Sequence, residues 1–258
     1  MTRRRAWLAY LIGPLVTVVL LAGWELYSIS RDTPSYVLPR PTDIADAAWG
    51  DRSELLSQLG QTLLEAAGGF AIAAFVAIVL AIAVQRSRTF ELTVLPWIVV
   101  LQAVPVVAIT PIIALIIGRN AFTAMVIAAI IALFPILVNT VRGLSSVSDE
   151  SLELMHVSGA SRWSVFQYLR LPSSLPYTFA GLRVAASVVV PGAMVAEWIT
   201  ADSGLGFYVI NQTVAYQTQL VWAGILVATL AGVAFFTVVT LIERRVIPWQ
   251  EPEAVVGV

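Results

Sequence analysis

Cysteine is absent from the 258 residues, which excludes disulfides, thiolate metal sites and cysteine nucleophiles. Lysine is absent as well, and all 15 positively charged side chains are arginine. A P-loop needs a lysine to reach the terminal phosphates of ATP, so this chain is not itself a P-loop ATPase. The single histidine, His156, excludes a histidine-based metal or catalytic cluster. Charge is scarce: 12% of residues are charged and the net charge is −1, which offers nothing for a nucleic-acid partner. No catalytic residue, metal ligand or bound cofactor is assigned.

What the sequence has in abundance is apolar surface. A 59% hydrophobic content would leave a soluble fold of this size unable to cover its core with polar side chains, so the lipid bilayer is the expected solvent. A helix needs about 20 apolar residues to cross a hydrocarbon layer of about 30 Å. Six stretches qualify, at residues 7–29, 63–84, 93–118, 121–141, 176–199 and 220–242, within a single domain over residues 1–258. The first follows Arg3, Arg4 and Arg5 as a signal peptide would. Its apolar run is too long for one and no small-residue cleavage site follows, so it reads as a retained helix.

Arginine placement sets the orientation, because positive residues stay on the cytoplasmic side. With the N-terminus inside, Arg3, Arg4, Arg5, Arg86, Arg88, Arg142, Arg162, Arg170, Arg244 and Arg245 are cytoplasmic. The outer segments then hold only Arg31, Arg40, Arg52 and Arg119, and both termini are expected inside. The outer segment 30–62, with Pro34, Pro39 and Pro41 before an acidic run, suits a loop and a short surface helix. It serves as a solvated connector or as a docking surface.

The inner loop 142–175, between the fourth and fifth spans, is too long for a minimal connector and carries two amphipathic patterns. Ser146 and Asp149 fit a capping box, Leu152 and Met155 share a face, and Gly159 stands where a left-handed helix stop is wanted. A second helix is expected from Ser161, presenting Val165, Phe166 and Leu169 until Pro172 turns the chain out of the helix. An apolar face outside the bilayer must be covered by the chain's own helix ends, by the lipid interface or by a partner groove.

Within this loop Glu153 is followed by Gly159, then by Leu169, Leu171 and Pro172. That spacing resembles the cytoplasmic loop of ABC importer permeases: Glu-Ala-Ala, three residues, Gly, nine residues, Ile-x-Leu-Pro. Leu154 and Met155 replace the paired alanines. Leu38-Pro39-Arg40-Pro41, Thr62-Leu63, Gly69-Phe70, Gly181-Leu182-Arg183, Glu197, Gly204-Leu205-Gly206 and Pro248-Trp249 extend the resemblance to the nitrate, sulfonate and taurine group and its pyrimidine-precursor branch. It implies an all-α membrane protein with six transmembrane helices in the type I importer fold and a coupling-helix loop between helices four and five. It further implies coupling to the ATPase through Glu153, Leu154, Met155, Gly159, Ala160, Trp163, Phe166, Leu171 and Pro172. The implied partners are two cytoplasmic ATPase subunits that hold ATP and Mg, a second permease copy in a homodimer, and an extracytoplasmic solute-binding protein, all at a bacterial cytoplasmic membrane.

The translocation path is read from polar or irregular positions at membrane depth. Pro105 and Pro111 should kink or break the third span, and Gln102 beside them is a candidate pore lining. Asn139 lines the path or sits at the inner interface. A charge at the bilayer centre costs at least about 2.5 kcal/mol, so two others need a reason. Arg183 can snorkel to the inner surface, and Glu197 braces the Gly204-Leu205-Gly206 turn or faces the outer path. Gly69, Ala73, Ala77 and Ala81, and again Gly224, Ala228 and Gly232, form small-residue faces for close helix packing. Two other classes stay open, a self-sufficient secondary transporter and an integral membrane enzyme. The sequence shows neither an inverted repeat nor a clustered acid/base pair.

Overall fold

The computed structural model describes residues 3–31, 34–200 and 202–249, and no strand occurs among them. In order come α1 (Arg3–Ser30), α2 (Pro41–Gly50), α3 (Arg52–Arg86), α4 (Arg88–Ala103), α5 (Val106–Ile117), α6 (Ala121–Leu144), α7 (Asp149–Val157) and α8 (Arg162–Val165). A π-helical turn, Phe166–Arg170, leads into α9 (Leu171–Thr200), followed by α10 (Leu205–Val214) and α11 (Thr218–Val246). Five helical stretches among the described residues are long and apolar enough to cross a membrane: α1, α3, α6, the α8–α9 run and α11.

The expected third span is two helices rather than one. Pro105 has no N–H to donate to the preceding turn and holds Val104 out of the helical region, so α4 ends at Ala103 and Pro105 caps α5 with φ −62° and ψ 112°. The pieces are 16 and 12 residues long, about 24 and 18 Å, each short of a full crossing. Pro111 is carried inside α5 without a second break. The second span also runs longer than its apolar core, because α3 starts at Arg52 and its polar first turns pack on α10 and α2 rather than in lipid.

The core is a three-helix sandwich with α6 in the middle. Lipid gives no hydrophobic incentive for helices to associate, so close backbone approach through small residues does the packing. Ala66, Ala73, Ala77 and Ala81 of α3 meet Ala128, Ala129 and Ala132 of α6 in one cluster, with Ala185, Val189, Val190 and Ala193 of α9 on the far side. A Cβ on Gly69 would strike Met125 O and the Ala128 side chain, and one on Gly181 would strike Pro135 O and Ile136. The α3 stripe is thus a contact within one chain. On α11, Gly224 lies against Val209 and Tyr208, whereas a Cβ on Gly232 would meet open space. Gly232 borders a surface groove of about 500 Å³ between α9 and α11.

Aromatic pairs fasten the outer helices. Trp24 of α1 packs on Trp222 of α11 at 5.1 Å between ring centroids, and Phe70 of α3 meets Phe235 of α11 edge-on at 5.2 Å. Glu25 of α1 accepts from both the Thr42 backbone N–H (3.2 Å) and its hydroxyl (2.9 Å), which satisfies the start of α2. The other faces carry large apolar side chains outward, such as Leu20 of α1 and Leu115 and Ile116 of α5, as lipid contact requires.

Candidate functional site: the α7–α8 loop and the α10 latch

The two short helices of the loop 142–175 are defined by side-chain caps and a glycine stop. The N-cap of α7 is Ser148, not Ser146: its Oγ accepts from Ser151 N at 3.3 Å, while Ser146 Oγ donates back to Gly143 O. Ser146 is held by the end of α6, and the free serine two residues later takes the cap. At the other end Gly159 has φ 72°, with its N–H on His156 O (3.0 Å) and the Ala160 N–H on Met155 O (3.0 Å). These two bonds form the Schellman stop. Ser161 then caps α8 by accepting from Ser164 N at 3.1 Å, as expected from the sequence.

The two helices split their side chains between two faces. Val165 is buried, Phe166 packs against the main core, and Trp163 stacks on Phe166 at 5.6 Å. No residue of α7 is buried, and Leu154 (68%), Val157 (88%) and Trp163 (68%) are widely exposed. Glu153 and Gly159 are exposed as well, Met155 and Ala160 half-buried, and Leu171 more exposed than Pro172.

Pro172 does not end the helix. It is the second residue of α9, and the chain is helical from Arg162 to Thr200. The π turn Phe166–Arg170 makes this possible, because the widened turn removes the clash between the proline ring and the carbonyl four residues back and needs no N–H from it. The expected exit from the helix is instead a local bulge through which the loop runs unbroken into α9.

A second polar constellation lies at the opposite end of α3. Three residues on one face of this helix, Gln58, Thr62 and Glu65, meet Glu197 of α9 and the start of α10. The first N–H groups of α10 have no partner within the helix. Gly204 N donates to Gln58 Oε1, Leu205 N to Thr62 Oγ1 (2.7 Å), and Gly206 N to Glu197 Oε2 (2.5 Å). Gln61 Nε2 donates to Glu65 Oε1 at 2.7 Å. Glu65 and Glu197 are 1% and 0% exposed, and Glu65 Oε2 and Glu197 Oε1 have no hydrogen-bond partner among the described residues. Gly204 is obligatory, since its φ is 103° and a Cβ would overlap the Glu197 carboxylate. A Cβ on Gly206 would overlap Met194 O. Tyr208 completes the latch by donating to Asp51 Oδ2 at 2.6 Å, and burial followed by that carboxylate raises its phenol above the ordinary value.

Glu197 therefore sits inside the fold as the brace of the Gly204–Gly206 turn. Asn139 is half-buried at the α6–α9 crossing and donates to Pro135 O at 2.7 Å. Gln102 lies in α4, with its side chain outside the described residues. Arg183 pairs with Glu243 near the end of α11, a partner that sequence spacing did not reveal. Opposite charges toward the same end of two apolar spans were the available signal.

Comparison with known proteins places this architecture. Residues 69–248 match the family described as binding-protein-dependent transport system inner membrane component. The riboflavin transport system permease protein RibX of Chloroflexus aurantiacus is 30% identical over 92% of this chain and 89% of its own length. The formylaminopyrimidine transport permease protein ThiX of Halalkalibacterium halodurans is 31% identical over 93% and 96%. A putative aliphatic sulfonates transport permease protein, SsuC of Bacillus subtilis, is 27% identical over 96% and 90%. In three dimensions, a crystal structure of an amino acid ABC transporter with histidines superposes with a TM-score of 0.63 at 17% identity, covering 75% of this chain and 94% of the other. The chain belongs to the binding-protein-dependent inner-membrane components, the multi-pass permeases of ABC transport systems.

Proposed function

We propose that this permease forms half of the translocation path of an ATP-driven importer and that α7 is its coupling helix, docking into a groove on a cytoplasmic ATPase subunit. Two permease copies and two ATPase subunits assemble, and an extracytoplasmic solute-binding protein delivers the solute. Closure of the ATPases on ATP moves α7 and switches the path between its outward- and inward-open states. The observation that carries this reading is the exposed apolar edge of Leu154 and Val157 on α7, a helix capped at both ends and outside every apolar span. A groove in a soluble partner is the cover such a helix fits. The π turn and the unbroken run into α9 give a stiff lever from loop to membrane. The arginine distribution supports a cytoplasmic position for the loop and both termini.

The solute is a small organic molecule or oxyanion: a thiamine-precursor pyrimidine, riboflavin, or a sulfonate, taurine or nitrate. The names of the RibX, ThiX and SsuC relatives support riboflavin, a pyrimidine and a sulfonate within that range. Replacing Gly159 with proline tests the coupling role. Proline cannot adopt φ 72° and removes the N–H bonded to His156 O, so the stop of α7 is lost while the spans are untouched. Membrane insertion should be normal and solute uptake should lose its dependence on ATP hydrolysis. Normal ATP-coupled uptake by the variant in reconstituted vesicles refutes the coupling role.

A further inference from the structure

Arg86, at the end of α3, and Arg162 and Arg170, flanking the α8–π segment, converge on one cavity of about 610 Å³. His156 of α7 stands on the same wall with its Nδ1 2.8 Å from Leu152 O. A carbonyl can only accept, so Nδ1 carries the proton and Nε2 is left free. No described carboxylate pairs with any of the three guanidiniums, since the ion pair found elsewhere joins Arg183 to Glu243. Asp149, Glu150 and Glu153 of α7 are exposed, and none contributes to the walls. Among the described residues the cavity wall thus carries three guanidiniums and no carboxylate.

Its depth identifies the counter-ion. The cavity lies where two apolar spans end, one closing at Arg86 and the other opening at Arg162. One side is polar, while Ile82, Phe166 and the indole of Trp163 form an apolar flank. A soluble anion needs only the first side. An arginine cluster between helices at the inner boundary, with an apolar flank and an interfacial tryptophan, suits an amphipathic anion.

We propose that this pocket seats the phosphate of an anionic phospholipid of the inner leaflet, with its acyl chains along the Ile82–Phe166 flank. The lipid would hold α7 against the end of α3 through His156, on the face opposite Leu154 and Val157, and so set the resting position of the coupling helix. The placement in the inner leaflet rests on the reading of α7 as the cytoplasmic coupling element.

Native mass spectrometry of the full-length permease in complex with its ATPase, supplied with phosphatidylglycerol or phosphatidylcholine, tests the site. The wild type should retain phosphatidylglycerol selectively. The R86Q/R162Q/R170Q variant should bind it about 100-fold more weakly, and each single variant about fivefold, from the attraction each arginine contributes. R142Q/R244Q, outside the pocket, should bind as the wild type does. Thermal unfolding in phosphatidylcholine checks folding, and if the triple variant unfolds there the single variants carry the test. Unchanged phosphatidylglycerol retention without the arginines overturns the site. Displacement of phosphatidylglycerol by millimolar inorganic phosphate overturns the lipid assignment in favour of a soluble anion. Loss of ATPase co-purification with lipid retention unchanged overturns it in favour of a protein contact. If the wild-type chain binds no ATPase yet selects phosphatidylglycerol through these arginines, the coupling proposal fails and the lipid site stands.

Discussion

Gly204 and Glu197 show how a single position can govern the junction of α9 and α10. The glycine has φ 103° and the carboxylate occupies the space where a Cβ would go, so Gly204→Ala is strained twice. The expected cost is about 2 kcal/mol or more, read as a lower unfolding temperature in detergent. Tyr208 offers a milder probe. Its phenol, raised by burial and Asp51, stays neutral in the fold at a pH where an exposed tyrosine near pKa 10 has ionised. Tyr208 thus contributes fully below that pH, and its contribution is lost as pH rises toward the folded value. Tyr208→Phe should lower stability at neutral pH by about 1–3 kcal/mol, because the Asp51 carboxylate loses its donor, and should flatten the alkaline decline measured by tryptophan fluorescence.

At the scale of elements, the ion pair between α9 and α11 is the clearest tertiary test. Arg183 keeps 30% of its side chain exposed and Glu243 12%, so Glu243→Gln should cost about 1–3 kcal/mol, less than for a fully buried pair. Exchanging the two as R183E/E243R should recover most of the loss in the same unfolding measurement. The boundaries of most elements could be read from the sequence, because apolar runs, arginine-flanked ends and Gly159 report local chemistry. Pro105 announced the break between α4 and α5 in the same way. What could not be read was settled by long-range geometry. Ser148 caps α7 because Ser146 is already held by α6. Pro172 continues the helix because a π turn absorbs it. The bond from Leu205 to Thr62 spans 143 residues, and no local pattern reports it.

For the whole molecule, the absence of cysteine is a practical advantage, since any introduced thiol is the only one present. Single cysteines at Ser158, in the α7–α8 loop, and Ser203, in the α10 latch, should label from opposite sides of oriented vesicles. Labelling of both from one side rejects the arginine-based orientation. The same background allows the most direct test of the central claim, that α7 couples this permease to an ATPase. Val157 is 88% exposed on α7 and makes no buried contact within the chain. With cysteine at 157 in the assembled transporter, a short bifunctional thiol reagent should link the permease to a cysteine at the rim of the ATPase groove, in a yield that changes on ATP binding. Full ATP-driven uptake with no link from position 157 to any ATPase residue would contradict the account.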